Sequence, residues 1–436
     1  MIQKKRDSEL IDITGPLGGK YEFLIPSRTP SSQRKSSFLH ENINRSRIFN
    51  PQAKIIANLD RVLEYLEKGN TAPVLVEVDP SNICNHGCTF CLSSYVHVRA
   101  TGNFSTSNRA MMPEDMLFSL CNDLIDLKVK AINWTGGGEP TVNPALGKVI
   151  NFVGRNSEIK MGAFTNGTLI HKFGLLDILV DNLVWVRFSI DAGTAETYNS
   201  IRRARAGSDW NRMMDNLNML IQTRRSNGSK LKIGVGFVIT PDNCHEIVDF
   251  ARGFVDMDVD YCQYKPEIVN REREGGLQRT IEFWKGFVEQ SLAEAESILG
   301  EKFQINGYKL NDLTSDTEFY GRTYKKCLGS QIQPCVGADG HVYVCTNHRG
   351  YSDCSYGSLY ERSFIDIWND VAGRNKVMHR INDVERFCNC TKLCKPHESN
   401  KMMWYINENR NNSEFIDHLR KIKDDLFDKL EHSEFI

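Results

Sequence analysis

The sequence predicts an α/β protein built on a parallel sheet, followed by a small cysteine-rich segment. Two observations carry this reading. From residue 71 onward, short apolar or β-branched runs alternate with helical patterns six times, and strand–helix units in series mean parallel strands joined by right-handed crossovers. Then seven of the 13 cysteines crowd between Cys327 and Cys394, among glycines and short strand-like runs such as GHVYVC (340–345). Small segments of that kind are organised by metal rather than by a large core. Periodicity alone leaves two architectures open for the six units, an open doubly wound sheet and an incomplete barrel.

The elements follow in order. Residues 1–70 read as a polar extension with one helix. SRTPSSQRKSS (27–37) has almost nothing to bury and reads as linker or surface coil. Ile55, Ile56, Leu59, Val62, Leu63 and Leu66 mark one face of a helix over about 54–67. Strands are expected at 74–79, 131–135, 160–164, 184–190, 231–239 and 259–265. One helix opens at Pro113 with Glu114 and Asp115 in its first turn, and others lie near 143–155, 169–180, 208–225 and 243–256. A long helix over about 277–299 closes a core spanning 71–300. The cysteine-rich segment occupies 320–400. In the final segment, 401–436, Phe415, Leu419, Ile422, Leu426 and Leu430 sit at helical spacing, as in a helix packed on the body of the protein.

Composition excludes several function classes. With 54 Lys+Arg against 55 Asp+Glu the net charge is −1, which removes whole-molecule attraction to nucleic acid or anionic lipid. No window approaches 18 consecutive apolar residues, and no membrane span is expected. The opening MIQKKRDSEL lacks the apolar core of a signal peptide, which predicts a cytoplasmic protein. In a reducing compartment clustered thiols hold metal more often than they form disulfides.

The most specific feature is Cys84-Asn-His-Gly-Cys88-Thr-Phe-Cys91, directly after the first expected strand. Three thiolates from one loop ligate three irons of a [4Fe–4S] cube and leave the fourth open, whereas four would saturate it. The C-terminal end of a parallel strand is also where such folds place active sites. A zinc site with His86 as fourth ligand is the competing reading of the same spacing.

These residues, with four later motifs, resemble the radical S-adenosylmethionine (SAM) superfamily. Gly136-Gly137-Gly138-Glu139-Pro140 resembles the family's glycine-rich motif at the SAM amino group. Thr165-Asn166-Gly167 resembles its TNG turn, and Ser189-Ile-Asp191 the segment that meets SAM ribose and carboxylate. Gly234 and Gly236 occupy the adenine-packing strand, and Phe90 stands where the family has an aromatic residue beside the adenine. The resemblance covers about residues 71–270 and implies an incomplete (β/α)6 TIM-like barrel. It further implies a catalytic [4Fe–4S] cluster on Cys84, Cys88 and Cys91, with SAM cleaved by one electron to a 5′-deoxyadenosyl radical. That electron would come from a donor such as flavodoxin or ferredoxin. The implied cofactor contacts are Phe90, Gly136, Gly137, Gly138, Glu139, Asn166, Ser189, Asp191 and Gly236.

The downstream cysteines resemble the C-terminal SPASM or shorter twitch extension of radical SAM enzymes, which holds auxiliary clusters. Cys388, Cys390 and Cys394 form a CxCxxxC group with no later cysteine, shorter than the two-cluster pattern. One auxiliary [4Fe–4S] cluster on Cys327, Cys345, Cys390 and Cys394 is the expected arrangement, with Cys335, Cys354 and Cys388 as rival ligands and a zinc ribbon as the competing site. Cys121, Cys244 and Cys262 read as ordinary semi-buried thiols, and His341, His348 and His397 as surface histidines.

The stretch WVRFSIDAGTAETY (185–198) and the short tail look most like family members acting on sugars, aminocyclitols or polyols. A small-molecule substrate undergoing dehydrogenation, dehydration or epimerisation is therefore the leading expectation. Peptide or protein modification is the alternative, weighed down by the polar residues 1–50, and a non-catalytic iron–sulfur or zinc scaffold is the third. Tyr95, His97 and Arg99 could line the cluster mouth or be solvated. Gln263 and Lys265 share a strand face that is either the interior, where they would bond a polyol, or the outside.

Overall fold

The structure is a computed structural model; it describes residues 9–14, 20–25, 51–91, 110–203, 209–267, 287–305, 322, 324–383, 390, 394–427 and 430–436. Tyr95, His97, Arg99, Cys388 and the 27–37 stretch lie outside these residues.

Strands β1 (Glu9–Thr14) and β2 (Lys20–Ile25) form an antiparallel hairpin of their own. The sequence reading, which took residues 1–70 as a polar extension with one helix, did not mark it. The main sheet contains β3 (Leu75–Val78), β4 (Ala131–Trp134), β5 (Lys160–Thr165), β6 (Trp185–Ser189), β7 (Lys232–Ile239) and β8 (Tyr261–Pro266), all in parallel register. Each agrees with an expected strand to within two residues at either end. The linear order β3 to β8 never reverses, so there is no switch point as in a doubly wound sheet, and the open strip curls as a partial barrel.

Two further strands extend the parallel strip. β9 (Phe303–Ile305) adds beside β8, and β10 (Cys335–Val336) adds beside β3. From β10 the chain turns back through β11 (His341–Tyr343) and β12 (Ser355–Ser358), completing a ten-stranded sheet. The β10–β11 turn needs Gly340, whose φ is +75° and whose Cβ would lie 2.8 Å from the Tyr360 ring. Metal therefore does not organise the cysteine-rich segment by itself. Val336, Val342, Val344, Phe364 and Trp368 all belong to the main hydrophobic core.

The helices cover the outer face. The pattern opened by Pro113 is the helix Glu114–Asp126, and the later ones are Leu146–Asn156, Leu175–Asn182, Asp209–Ser226 and Ile247–Phe254. Ala195–Arg202, Phe364–Asn369, Val371–Ile381 and His397–Asn409 are helices that the periodicity did not mark. The expected helix 54–67 is two, Pro51–Ala57 and Leu59–Lys68, divided at Asn58. Their apolar faces meet Met402, Met403 and Ile406 and, from the helix Ser413–Phe427, Ile416, Leu419 and Ile422. Leu75 and Ala131 from the strands join this second core, so these helices close the bottom of the barrel. No helix among the described residues is long and apolar enough to cross a membrane.

Candidate functional site

The loop carrying Cys84, Cys88 and Cys91 begins five residues beyond β3 and is pinned by backbone hydrogen bonds. Gly87 N–H donates to Arg202 O at 3.0 Å and Thr89 N–H to Ile201 O at 2.9 Å, which sets the loop against the end of the helix Ala195–Arg202. The three thiols are half-buried and close enough for each to feel its neighbours' charge. Burial pushes the Cys84 thiol up to about 12, with Glu139 as the next contribution, so ligation has to displace protons.

Arg202 is the central cation of this site, and no sequence signal marked it. Its guanidinium pairs with the buried Asp191, reaches Cys88 Sγ at 3.5 Å, and stands 5.7 Å from the centre of the Phe90 ring. Asp191 has φ +64°, a left-handed conformation tolerated by Asp, and its Oδ1 accepts from Val238 N–H at 2.6 Å. Ser189 faces Gly236 in register, and Gly236 O accepts from both Ile190 and Asp191 N–H at 3.1 Å.

The glycine-rich motif works mainly through packing in this structure. A Cβ on Gly138 would lie 2.2 Å from Ile83 O, one residue before Cys84. Gly138 N–H and Glu139 N–H donate to Ser81 O and Ile83 O, each at 3.0 Å, stitching the motif to the cluster loop. The Glu139 carboxylate is buried and accepts from Thr141 Oγ1 and Thr165 Oγ1, each at 2.6 Å, Thr141 N–H at 3.2 Å and Asn166 N–H at 2.7 Å. Burial raises its pKa, and these donors oppose the shift. Asn166 continues the web: its Nδ2 donates to Asn85 Oδ1 at 2.8 Å, and Asn85 sits between Cys84 and His86. Gly136, Gly137, Gly138, Glu139 and Asn166 are thus gathered around the cluster loop.

His86 does not turn its paired nitrogen to the thiols. Its Nε2 stands 3.3 Å from Asp209, its ring meets Tyr198 edge-on, and burial lowers its pKa to about 4.

The downstream cysteines form a second site. Cys327, Cys345, Cys390 and Cys394 line one pocket with Arg322, Tyr324, Ser330, His348 and Asn400. The four thiols lie within mutual electrostatic reach, and Asn400 Nδ2 donates to Cys327 Sγ at 3.5 Å. Cys335 and Cys354 are buried and do not line the pocket; Cys354 lies in the main core. Among the described residues no three His, Cys, Asp or Glu side chains stand close enough to hold a single metal ion. Two histidines differ from the surface reading. His397 is 1% exposed with its Nδ1 2.8 Å from Tyr324 Oη, and His348 Nδ1 lies 3.2 Å from Cys345 Sγ. Arg349 links the two regions, pairing with the buried Asp79 beyond β3 and contributing its charge at Cys91.

Residues 78–251 match the model of the radical SAM superfamily, so the chain contains a radical SAM domain. A domain of this family implies a [4Fe–4S] cluster and SAM. Among curated relatives, mycofactocin maturase MftC of Mycobacterium ulcerans is 29% identical over 195 residues, which cover 44% of this chain and 47% of that protein. The chain thus spans about half the length of that relative. The tungsten-containing aldehyde ferredoxin oxidoreductase cofactor-modifying protein of Pyrococcus furiosus is 26% identical over 302 residues, 65% of this chain and 78% of that one. In fold, SuiB of Streptococcus suis bound to SAM superposes with TM-score 0.53 at 14% identity, covering 73% of this chain and 71% of that chain. SuiB bound to its precursor peptide SuiA gives 0.51.

These relatives overturn the expectation of a sugar, aminocyclitol or polyol substrate. Of the stretch 185–198 that suggested it, the part from 190 to 198 is scaffold. Glu246 accepts from Gly193 N–H at 2.7 Å and Thr197 Oγ1 at 2.7 Å, Asp191 holds Arg202, and Tyr198 is buried against His86. Such residues report on how the cofactor loop is held, not on what the barrel admits. Gln263 is no free polyol contact either, since it accepts from Arg187.

Proposed function

We propose that this chain is a maturase that modifies a peptide or protein substrate. The observation that carries this reading is the maturase relative that matches 195 residues of this chain. The hairpin β1–β2 supplies paired strands within residues 1–50, the stretch whose polarity weighed against the peptide reading.

We assign Cys84, Cys88 and Cys91 as ligands of the catalytic cluster. The residues fit a three-ligand cube: they come from one short, tethered loop and leave one side without a thiol. When bound, that group supplies reductive cleavage of SAM to a 5′-deoxyadenosyl radical, which abstracts hydrogen from substrate. The protein's part is positional. Arg202 places positive charge beside Cys88 and fixes Asp191, while Glu139 clamps the ends of β4 and β5 against the loop. Phe90, Ser189, Asp191 and Gly236, with the Gly136–Gly138 run, form the proposed SAM surface.

We assign Cys327, Cys345, Cys390 and Cys394 to one auxiliary [4Fe–4S] cluster. Their convergence on one pocket supports this set over Cys335 and Cys354. Four thiols saturate a cube, so this pocket offers substrate no iron. A one-electron donor such as flavodoxin or ferredoxin completes the proposed system.

The test is anaerobic reconstitution followed by SAM, reductant and defined pools of synthetic peptides. Formation of 5′-deoxyadenosine stimulated by peptide, with a mass change in the peptide, is expected. Stimulation by sugars or aminocyclitols but not by peptides would remove the maturase reading.

A further inference from the structure

The barrel interior contains a cation that the cofactor machinery does not use. Register places Phe164, Arg187, Gly234 and Tyr261 in one layer across β5 to β8, and Ser189, Gly236 and Gln263 in the layer above. Arg187 therefore lies one layer beneath the strand ends that present Ser189 and the cluster loop. Glycine leaves room in both layers: the Cβ position of Gly236 is 3.4 Å from Arg187 Nε, and Gly234 makes space for the Tyr261 ring, which its Cβ would strike at 2.1 Å.

The guanidinium sits 4.2 Å over the Phe164 ring, and one Nη donates to the neutral Gln263 carboxamide. Its Nε is sealed from solvent and has no hydrogen-bond partner among the described residues. No carboxylate among those residues lies within ion-pair distance of it. The interior carboxylates already have partners: Glu77 takes Lys395 and Asn133, and Asp191 takes Arg202 and Val238 N–H. Arg187 is half-buried, and Asp191 acts on its charge only from beyond ion-pair distance; a partly desolvated cation without a paired anion is costly, and the planar guanidinium fork matches carboxylate geometry.

We propose that Arg187 is the receptor for a carboxylate of the substrate, held on the barrel floor with Gln263 orienting the guanidinium and Phe164 stacked upon it. This deepens the maturase reading and rests on it for the source, which is either a peptide C-terminus or an Asp or Glu side chain. Bound there, the carboxylate anchors the substrate one layer below the Ser189 end of the barrel.

The test uses reconstituted, SAM-loaded holoenzyme and 4-fluorobenzoate, followed by ¹⁹F NMR titration, with neutral 4-fluorobenzamide as control. The wild type should bind the benzoate at least about tenfold more tightly than the amide, a difference of about 1.4 kcal/mol. Arg187→Gln should abolish this preference and Arg187→Lys should retain part of it, while iron content and SAM affinity stay unchanged in both. Lack of preference in the wild type, or its persistence in Arg187→Gln, overturns the proposal. So does a tenfold loss of SAM affinity in Arg187→Gln, which would give the guanidinium to the SAM carboxylate. Three decapeptide pools then identify the source: free C-terminus without acidic residues, amidated with Asp and Glu, and amidated without either. Binding of one of the first two, lost in Arg187→Gln, supports the proposal and names the source. Benzoate binding with no response to any pool upholds the receptor and counts against the peptide reading instead.

Discussion

The two thiol sites are built in opposite ways. Cys84, Cys88 and Cys91 come from eight consecutive residues, and the fold's work is to hold that loop against the ends of β3 to β6. Cys327, Cys345, Cys390 and Cys394 come from distant positions, and only the packing of β10–β12 and the later helices brings them to one pocket. The first site keeps one side free of thiols and is surrounded by polar groups. The second is closed by four thiols and lined by Tyr324, Ser330 and Asn400. A contiguous set with three ligands suits chemistry at an open position, and a dispersed set with four suits a closed one.

The largest expected effect breaks the first site alone. Replacing Cys84, Cys88 and Cys91 together by Ala should abolish 5′-deoxyadenosine formation while about four irons per chain remain, since each cube carries four. Continued SAM cleavage under oxygen-free reducing conditions would end the assignment. The converse variant, Cys327→Ala with Cys345→Ala, should lower iron from about eight to about four per chain. Cys335→Ala and Cys354→Ala should leave it near eight; iron loss in either would return these rivals to the ligand set. Metal analysis finding zinc in place of the second four irons would make that pocket structural only.

A smaller effect sharpens how the first site is held. Asp191→Ala leaves Arg202 buried without its carboxylate, a change that costs about 3–5 kcal/mol in comparable pairs. Folded protein should retain its iron and bind SAM about tenfold more weakly by equilibrium dialysis, a loss of about 1.4 kcal/mol. Equal affinity would remove Asp191 from the SAM surface.

The smallest effect lies far from both sites. Lys54 is buried beneath the barrel, donates to Phe435 O at 2.9 Å, and burial lowers its pKa to about 7. Its unfolded value is higher, so the folded state binds fewer protons between pH 7 and 10.5, and stability rises with pH across that window. The full shift bounds this contribution at about 5 kcal/mol. Lys54→Met should raise the melting temperature at pH 7 by a few degrees and flatten its pH dependence. An unchanged slope between pH 7 and 10 would show that Lys54 does not carry it.

What the sequence by itself determined is what depends on neighbours along the chain. Six strands, most of their helices and the Cys84–Cys91 loop were legible because side-chain alternation and ligand spacing are local properties. The short strands β9 and β10 were not, because three and two residues are too few for a period to emerge, and neither were the hairpin β1–β2 and the helix Ala195–Arg202, which lie in stretches of mixed polarity. Substrate class was misread because residues 190–198 of the segment that suggested it are engaged in holding the Cys84–Cys91 loop and its neighbours. Only the tertiary structure decided that β10 joins the barrel sheet, that Arg202 stands beside Cys88, and that Arg187 faces the interior without a carboxylate. Each of these rests on contacts between residues far apart in sequence, where packing and desolvation choose the partner and local spacing holds no record of the choice.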